Sequence, residues 1–285
     1  MIKRTITYVF LIIVSNKAIS QNNKSDLALF NIGFGSLAGG IGSVINKKPG
    51  EKTGKVFIKG LWQGAHGGTI VHSSKLMLGL NVEKNSYDYF WPSKITNAIG
   101  SSIIENASSN KIFYDQFNFH IGFNRIEVFP KRNFHVSYKV MPVYFVMQLY
   151  ISTNSKFEFD QTIKTGEFIF SNKNIDLNKR AFVLGNTMVL NSNFLPEIST
   201  ISHEMTHIYQ SYNFMYFNSF INPIEDKLFK QDTFYQKSKK YIYYDYHQGF
   251  IYGLYALEYK KGLDYYDNFF EKEAALYSNS FIKLK

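Results

Sequence analysis

The chain has 285 residues, of which 45% are hydrophobic and 18% aromatic. This composition supports a packed core and excludes a chain that is disordered throughout. The formal net charge is +10, but the lysines are scattered without a basic stripe, so we expect no nucleic-acid partner. The charge is compatible with peripheral association with an anionic membrane surface. The chain contains no cysteine, which excludes disulfides, thiolate metal ligands and the lipid anchor of a bacterial lipoprotein.

Residues 1–20 have the features of a secretory signal peptide. Lys3 and Arg4 form a basic start, residues 8–14 form a short apolar run, and Ala18 and Ser20 place small residues where a signal peptidase cleaves. The apolar run is far shorter than the roughly 20 residues that cross a bilayer. We therefore predict an exported protein (periplasmic, outer-membrane associated or extracellular) whose mature chain begins near residue 21.

Residues 21–112 are rich in glycine, and we expect them to be mainly helical. Residues 28–45 carry no charge and contain Gly35 and Gly39 at a spacing that lets helices approach closely. Two structures suit this segment, a membrane-inserted helix or a buried, tightly packed helix or hairpin. The many glycines and polar residues such as Asn31 favour the buried form.

A second helix is predicted over Pro92–Ala107. Its isoleucines recur at helical spacing and are expected to share one apolar face: Ile95, Ile99, Ile103 and Ile104. His66 and His72, which precede it, lie in no recognisable pattern, and we expect them to be structural.

Residues 113–191 change to the two-residue period of β-strands. Phe117, Phe119 and Ile121 alternate with polar residues that include His120, which predicts a half-buried strand with a bulge near Gly122 or Asn124. The segments expected to be strands are 117–123, 134–140, 143–151, 157–163, 167–170 and 182–190. They predict one antiparallel sheet of five or six strands, with His120 and His135 on its polar faces, and an α+β fold. The stretch Asn186–Asn191 is a candidate edge for binding an extended peptide.

Residues 192–285 are predicted to be helical, and they contain the pattern H-E-x-x-H at positions 203–207. Two histidines four residues apart lie on one face of a helix and can bind a single Zn²⁺. Glu204, between them, could take a proton from water. The hydrophobic residues of the segment form a separate stripe that is expected to face the core: Ile198, Ile201, Met205, Ile208 and Tyr212.

A downstream carboxylate completes a recognisable arrangement. Glu271 lies in the segment 267–275, which is expected to be helical, and is followed by Ala274 and Ala275. H-E-x-x-H followed by a helical glutamate with alanine three or four residues later resembles the gluzincin class of zinc metallopeptidases. This resemblance implies that the glutamate is the third zinc ligand and that the alanines let two helices press together. The implied site is His203, His207 and Glu271 as metal ligands and Glu204 as general base.

Three features of the resemblance stay open at the level of sequence. Glu273 is a rival for Glu271, although two residues so close on a helix point to different sides. Ala275 stands where many members of the class have an aspartate that orients a histidine ligand, so Asp267 or a backbone carbonyl would have to provide this support. The group that stabilises an oxyanion is also unassigned, with three candidates: Tyr252, His247 and Tyr277.

The sequence therefore favours an exported zinc-dependent metallopeptidase that acts on peptides or proteins, with residues 113–285 as one catalytic unit. Residues 21–190 match no peptidase domain, and with the export signal they resemble secreted proteins of Bacteroidetes-type bacteria. The main alternative is an envelope-associated binding or structural protein whose zinc site is structural or vestigial. A membrane-embedded protease would require residues 28–45 and a second segment to span lipid. The substrate and the oligomeric state are left open.

Overall fold

The computed structural model describes residues 23–131, 133–176, 178–259 and 268–279, and the predicted signal peptide lies outside this part of the chain. The fold is α+β, as the sequence predicts. The helices are α1 (Lys24–Ile45), α2 (Thr53–Lys84), α3 (Phe90–Ser108), α4 (Pro142–Ser152), α5 (Phe159–Thr165), α6 (Ile198–Asn213), α7 (Phe217–Phe229), α8 (Thr233–Ser238), α9 (His247–Tyr259) and α10 (Phe269–Tyr277). The strands are β1 (Phe117–Ile121), β2 (Asn124–Phe129), β3 (His135–Val140), β4 (Lys156–Phe157), β5 (Ile169–Asn172), β6 (Ala181–Leu184) and β7 (Thr187–Asn191).

The long helices α1 and α2 pack with their backbones almost in contact. A methyl group added at Gly35 would lie 2.5 Å from the carbonyl oxygen of Gly64, so only glycine permits this approach. The polar side chain of Ser43 is satisfied by the carbonyl oxygen of Val56, 3.0 Å away. By length and composition α1 could also cross a membrane, a test that core helices pass as well, and 44% of its most apolar window is buried inside the fold.

Helix α3 is correctly predicted, but its apolar face only in part. Ile103 and Ile104 are buried as expected, whereas Ile95 and Ile99 are exposed. The buried face also carries Ser93, Lys94 and Asn97. These polar groups tolerate burial because they have partners: the Ser93 hydroxyl, for example, donates to the carbonyl oxygen of Ser74 at 2.7 Å. In the first half of the helix, hydrogen bonding between polar residues therefore takes the place of the expected isoleucine stripe.

The prediction of a single antiparallel sheet of five or six strands is wrong. One sheet has three antiparallel strands in the order β1-β2-β3, and the other has four in the order β4-β5-β7-β6, with β5 and β7 parallel. Residues 142–152 and 159–165 are helices. Pro142 suits the first turn of α4, and the continuous apolar run that follows it has no two-residue period.

The first sheet also turns an unexpected face inward. His120 and Arg125 are buried, while Phe117 and Phe119 are only half-buried. Arg125 donates to Glu105 and Glu127 at 2.7 and 2.8 Å, and these ion pairs allow a polar face to be buried. In place of the predicted bulge, Gly122 has φ +53° in the tight turn of the β1–β2 hairpin.

The apolar stripe of α6 is confirmed and lies at the centre of the fold. Ile201, Met205 and Ile208 are completely buried. They pack in one cluster with residues from α2, α4 and the second sheet, including Leu78, Tyr144, Ile169 and Met188. Helix α6 is therefore held on several sides, which fixes the residues on its remaining face.

The close contact between α1 and α2 predicts opposite effects for two glycine substitutions in the same helix. Gly35→Ala should destabilise the protein by about 1–3 kcal/mol because the methyl group meets backbone. Gly33→Ala should stabilise it by up to ~1 kcal/mol, since nothing lies within 4 Å of the added methyl group. Chemical denaturation of the two variants measures both effects, and equal stabilities would contradict the packing described.

Candidate metal centre

Helix α6 presents two imidazoles to the same point. His203 and His207 are one helical turn apart, and their Nε2 atoms are separated by 3.3 Å. Their side chains are 12% and 8% exposed, so both lie at the bottom of a cleft that is open to solvent. The remaining turns of α6 are anchored in the core, which leaves the imidazoles little freedom to separate.

Helix α10 supplies the third group. The Oε2 atom of Glu271 lies 3.2 Å from Nε2 of His203 and 3.4 Å from Nε2 of His207. Asn268 caps the helix by accepting a hydrogen bond from the backbone N–H of Phe270 at 2.9 Å. Further along α10, Ala274 and Ala275 are completely buried.

The three candidate ligand atoms have separations that are compatible with a bound Zn²⁺. Atoms placed about 2.0–2.1 Å from a tetrahedral Zn²⁺ lie about 3.3–3.4 Å from one another, and the three separations here are 3.2, 3.3 and 3.4 Å. Two imidazoles and one carboxylate are also a common ligand set of catalytic zinc sites. Among the described residues, His203, His207 and Glu271 are the group that could hold a metal ion.

Glu273 does not take part in this group. It is 1% exposed and lies on the other side of α10. Lys75 from α2 donates to its carboxylate at 2.7 Å, and Gln210 from α6 donates at 2.8 Å. The geometry thus separates two glutamates that the sequence leaves as rivals.

The partner of His207 is a residue that sequence reasoning missed. The Oε1 atom of Gln210 lies 2.8 Å from Nδ1 of His207, and the hydroxyl of Tyr255 lies 3.1 Å from the same nitrogen. If Nε2 of His207 binds a metal, Nδ1 carries the proton and donates it to Gln210. Gln210 follows His207 by three residues on the same helix, and this spacing brings side chains together, so the sequence did contain a signal for the contact. Asp267, the sequence-based candidate for this support, lies outside the described residues.

The electrostatic environment favours positive charge between the ligands. Burial lowers the pKa of His207, but the hydrogen bond and the negative charge of Glu271 outweigh this effect and raise it to about 9. Burial also raises the pKa of Glu204 above its ordinary value, against the opposing effect of the two histidines. A buried carboxylate with a raised pKa is suited to accept a proton and release it again.

The site opens into a cleft of about 1010 Å³. Strand β6 forms one wall, and His203, Glu204, His207 and Glu271 lie at its base. Because β7 lies between β5 and β6, the prediction that Asn186–Asn191 is the sheet edge is wrong. Among the described strands, β6 is the edge strand next to the candidate ligands.

Of the three candidates for oxyanion stabilisation, Tyr252 is the one that lines the cleft. Its hydroxyl accepts a hydrogen bond from the backbone N–H of Gly185 at 3.0 Å. His247 is buried against the hydroxyl of Tyr144, 3.1 Å away. Tyr277 is buried, and its hydroxyl lies 2.6 Å from Nδ1 of His72. His247 and Tyr277 therefore make structural contacts away from the cleft.

Comparison of the chain with protein-family models, with curated proteins and with solved structures finds no match in any of the three. The chemistry of the cleft residues is therefore the basis for a functional assignment. The resemblance to gluzincins remains a prediction from two short sequence motifs.

The buried imidazole of His247 predicts a pH dependence of stability. Burial lowers the pKa of His247 from 6.5 to about 3. The unfolded chain then binds a proton more readily than the folded protein, so the free energy of unfolding should fall as the pH falls from 6.5 towards 3. In His247→Gln the dependence should be flatter over this range. Denaturation curves at a series of pH values test this, and parallel profiles of the two proteins would contradict it.

Proposed function

We propose that this protein is an exported, zinc-dependent metallopeptidase. The observation that carries the proposal is the set of three ligand atoms at tetrahedral separations, with Glu204 beside them in an open cleft. Zn²⁺ bound by these residues would supply a Lewis acid and lower the pKa of a bound water to about 7. Export rests on the predicted signal peptide at residues 1–20.

The proton transfers of peptide hydrolysis are assigned to Glu204. Its carboxylate accepts the proton of the water that attacks the peptide carbonyl, and then donates it to the nitrogen of the leaving amine. The C–N bond breaks as that nitrogen is protonated, so one residue serves both steps. Tyr252, at the cleft wall, is the candidate to donate a hydrogen bond to the oxyanion.

Strand β6 supports an extended peptide as the substrate. The backbone N–H of Asn191 donates to the carbonyl oxygen of Arg180 at 2.8 Å. Alternate residues of an antiparallel strand hydrogen-bond to the same neighbour, so the backbone groups of Ala181 and Val183 point away from β7. They are oriented to pair with a substrate strand laid along the cleft.

The alternative, a binding protein with a structural zinc site, is less well supported. Structural zinc sites are usually closed by four protein ligands, whereas catalytic sites keep a position open for water or substrate. Among the described residues, three side chains form the metal-binding group, and they face a cleft large enough for several residues of a peptide.

Substitution of Glu204 tests the reaction separately from metal binding. The wild-type protein should contain one zinc per chain and cleave unstructured peptides. Glu204→Gln should keep the zinc and lose activity by about 10²–10⁴-fold, because general acid–base catalysis contributes that much. Glu271→Ala should lose the zinc as well. Metal analysis and peptide cleavage measure the two properties, and full activity of Glu204→Gln or a wild type without zinc would refute the proposal.

The edge strand predicts a specific defect in substrate binding. Val183→Pro removes a backbone donor that faces the cleft while leaving the hydrogen bonds between β6 and β7 in place. We expect kcat/KM for extended peptides to fall by about 5–10-fold, as the loss of one hydrogen bond implies, with unchanged zinc content. Val183→Ala, which keeps the N–H, serves as the control. Equal activities of the two variants would place the substrate elsewhere.

A further inference from the structure

A chain of buried hydrogen bonds leads from the metal centre to the N-terminal helices. Gln210 accepts from Nδ1 of His207 through its Oε1 atom, 2.8 Å away. Its Nε2 atom donates to the carboxylate of Glu273 at 2.8 Å and to the carbonyl oxygen of Phe270 at 3.0 Å. Gln210 is 2% exposed, so water does not compete for these contacts.

The carboxylate of Glu273 is in turn held by α1 and α2. Lys75 donates to it at 2.7 Å, and the side-chain amide of Asn31 donates at 3.1 Å. Lys75 also donates to Oδ1 of Asn31 at 3.0 Å, so the three groups form a closed set. The carboxylate of Glu273 thus acts as the acceptor for three donors, Lys75, Asn31 and Gln210.

The direction of these bonds determines the state of His207. A side-chain amide has a donor end and an acceptor end. With acceptors at Glu273 and Phe270, the donor end of Gln210 faces α10 and its acceptor end faces His207. Nδ1 of His207 must then carry a proton, so in the neutral imidazole the lone pair lies on Nε2, the nitrogen beside Glu271 and His203. This is the tautomer that binds a metal through Nε2.

We propose that Gln210, Glu273 and Lys75 are positioning residues that hold His207 in its metal-binding tautomer and orientation. Helices α1 and α2 then help to position a metal ligand, because they supply Asn31 and Lys75. This inference rests on the proposed metal site. It assigns Glu273 the task of supporting a ligand, and it gives a function to the N-terminal part of the chain, which carries none of the metal ligands.

The fold contains a matched control for this network. Lys94 and Glu167 form a second buried ion pair, with side chains that are 2% and 0% exposed, against 2% and 1% for Lys75 and Glu273. Glu167 also contacts α6, since the hydroxyl of Tyr212 donates to it at 3.0 Å. Among the described residues, the side chains of this second pair bond to each other and to Tyr212, and not to His203 or His207.

The test compares the removal of the two ion pairs in the full-length protein. Lys75→Met with Glu273→Leu removes one pair, and Lys94→Met with Glu167→Leu removes the other, so that neither variant retains an unpaired buried charge. Zinc affinity is measured by competition with a chromophoric chelator at fixed pH. The free energy of unfolding of each metal-free variant is measured in parallel, and the visible spectrum of the Co²⁺ form reports the ligand geometry.

We expect the Lys75/Glu273 variant to bind zinc about 10-fold or more weakly, as loss of support for a ligand does in other zinc sites. Its Co²⁺ spectrum should change as well. The Lys94/Glu167 variant should stay within about twofold of the wild type in zinc affinity, even where it loses as much stability. Gln210→Met removes the contact with His207 directly and should weaken zinc binding by about 10–100-fold. If the double variant does not fold, the comparison of Gln210→Met with the wild type tests the inference.

Two results would overturn the inference while leaving the proposed function intact. One is wild-type zinc affinity in the Lys75/Glu273 variant and in Gln210→Met. The other is an equal loss of affinity on removal of either ion pair, which would indicate a general effect of stability. A wild-type protein that binds no zinc would refute the proposed function and this inference together.

Discussion

The candidate site depends on one contact, the meeting of the Glu271 carboxylate with two imidazoles where α10 crosses α6. The contact brings Glu204, Glu271, His203 and His207 together in a largely buried place, where carboxylates are costly without a compensating positive charge. The pKa of His207 is raised because a proton on this imidazole supplies the compensating positive charge. A divalent cation would meet this requirement more completely, because all three atoms could bind it at once.

The N-terminal helices belong to the same unit as the metal centre. The glycines of α1 and α2 let the two backbones approach closely, and α2 also packs against α6 through Leu78, which lies in the core cluster with Met205. This packing brings Lys75 and Asn31 to Glu273 and, through Gln210, to the back of His207. A helix that could cross a membrane by length and composition is thus engaged in the interior of the fold.

The sequence predicts what depends on local spacing. The helical period of α6 separates its apolar stripe from its histidines, and both features appear in the structure. Whether Glu271 or Glu273 approaches the histidines depends on how α10 packs, which no local pattern records. The sequence did not predict the polar inner face of β1 and β2. The burial of this face depends on ion pairs of Arg125 with Glu105 and Glu127, which the two-residue period of a strand does not indicate. The edge position of β6 is likewise a result of strand order.

We propose that two imidazoles and one carboxylate bind a zinc ion that keeps a position open. X-ray absorption spectroscopy at the zinc edge of the purified protein tests it most directly. We expect two imidazoles among four or five nitrogen and oxygen ligands at about 2.0–2.2 Å. A first shell with one imidazole or none, or a protein that retains no zinc, would contradict it.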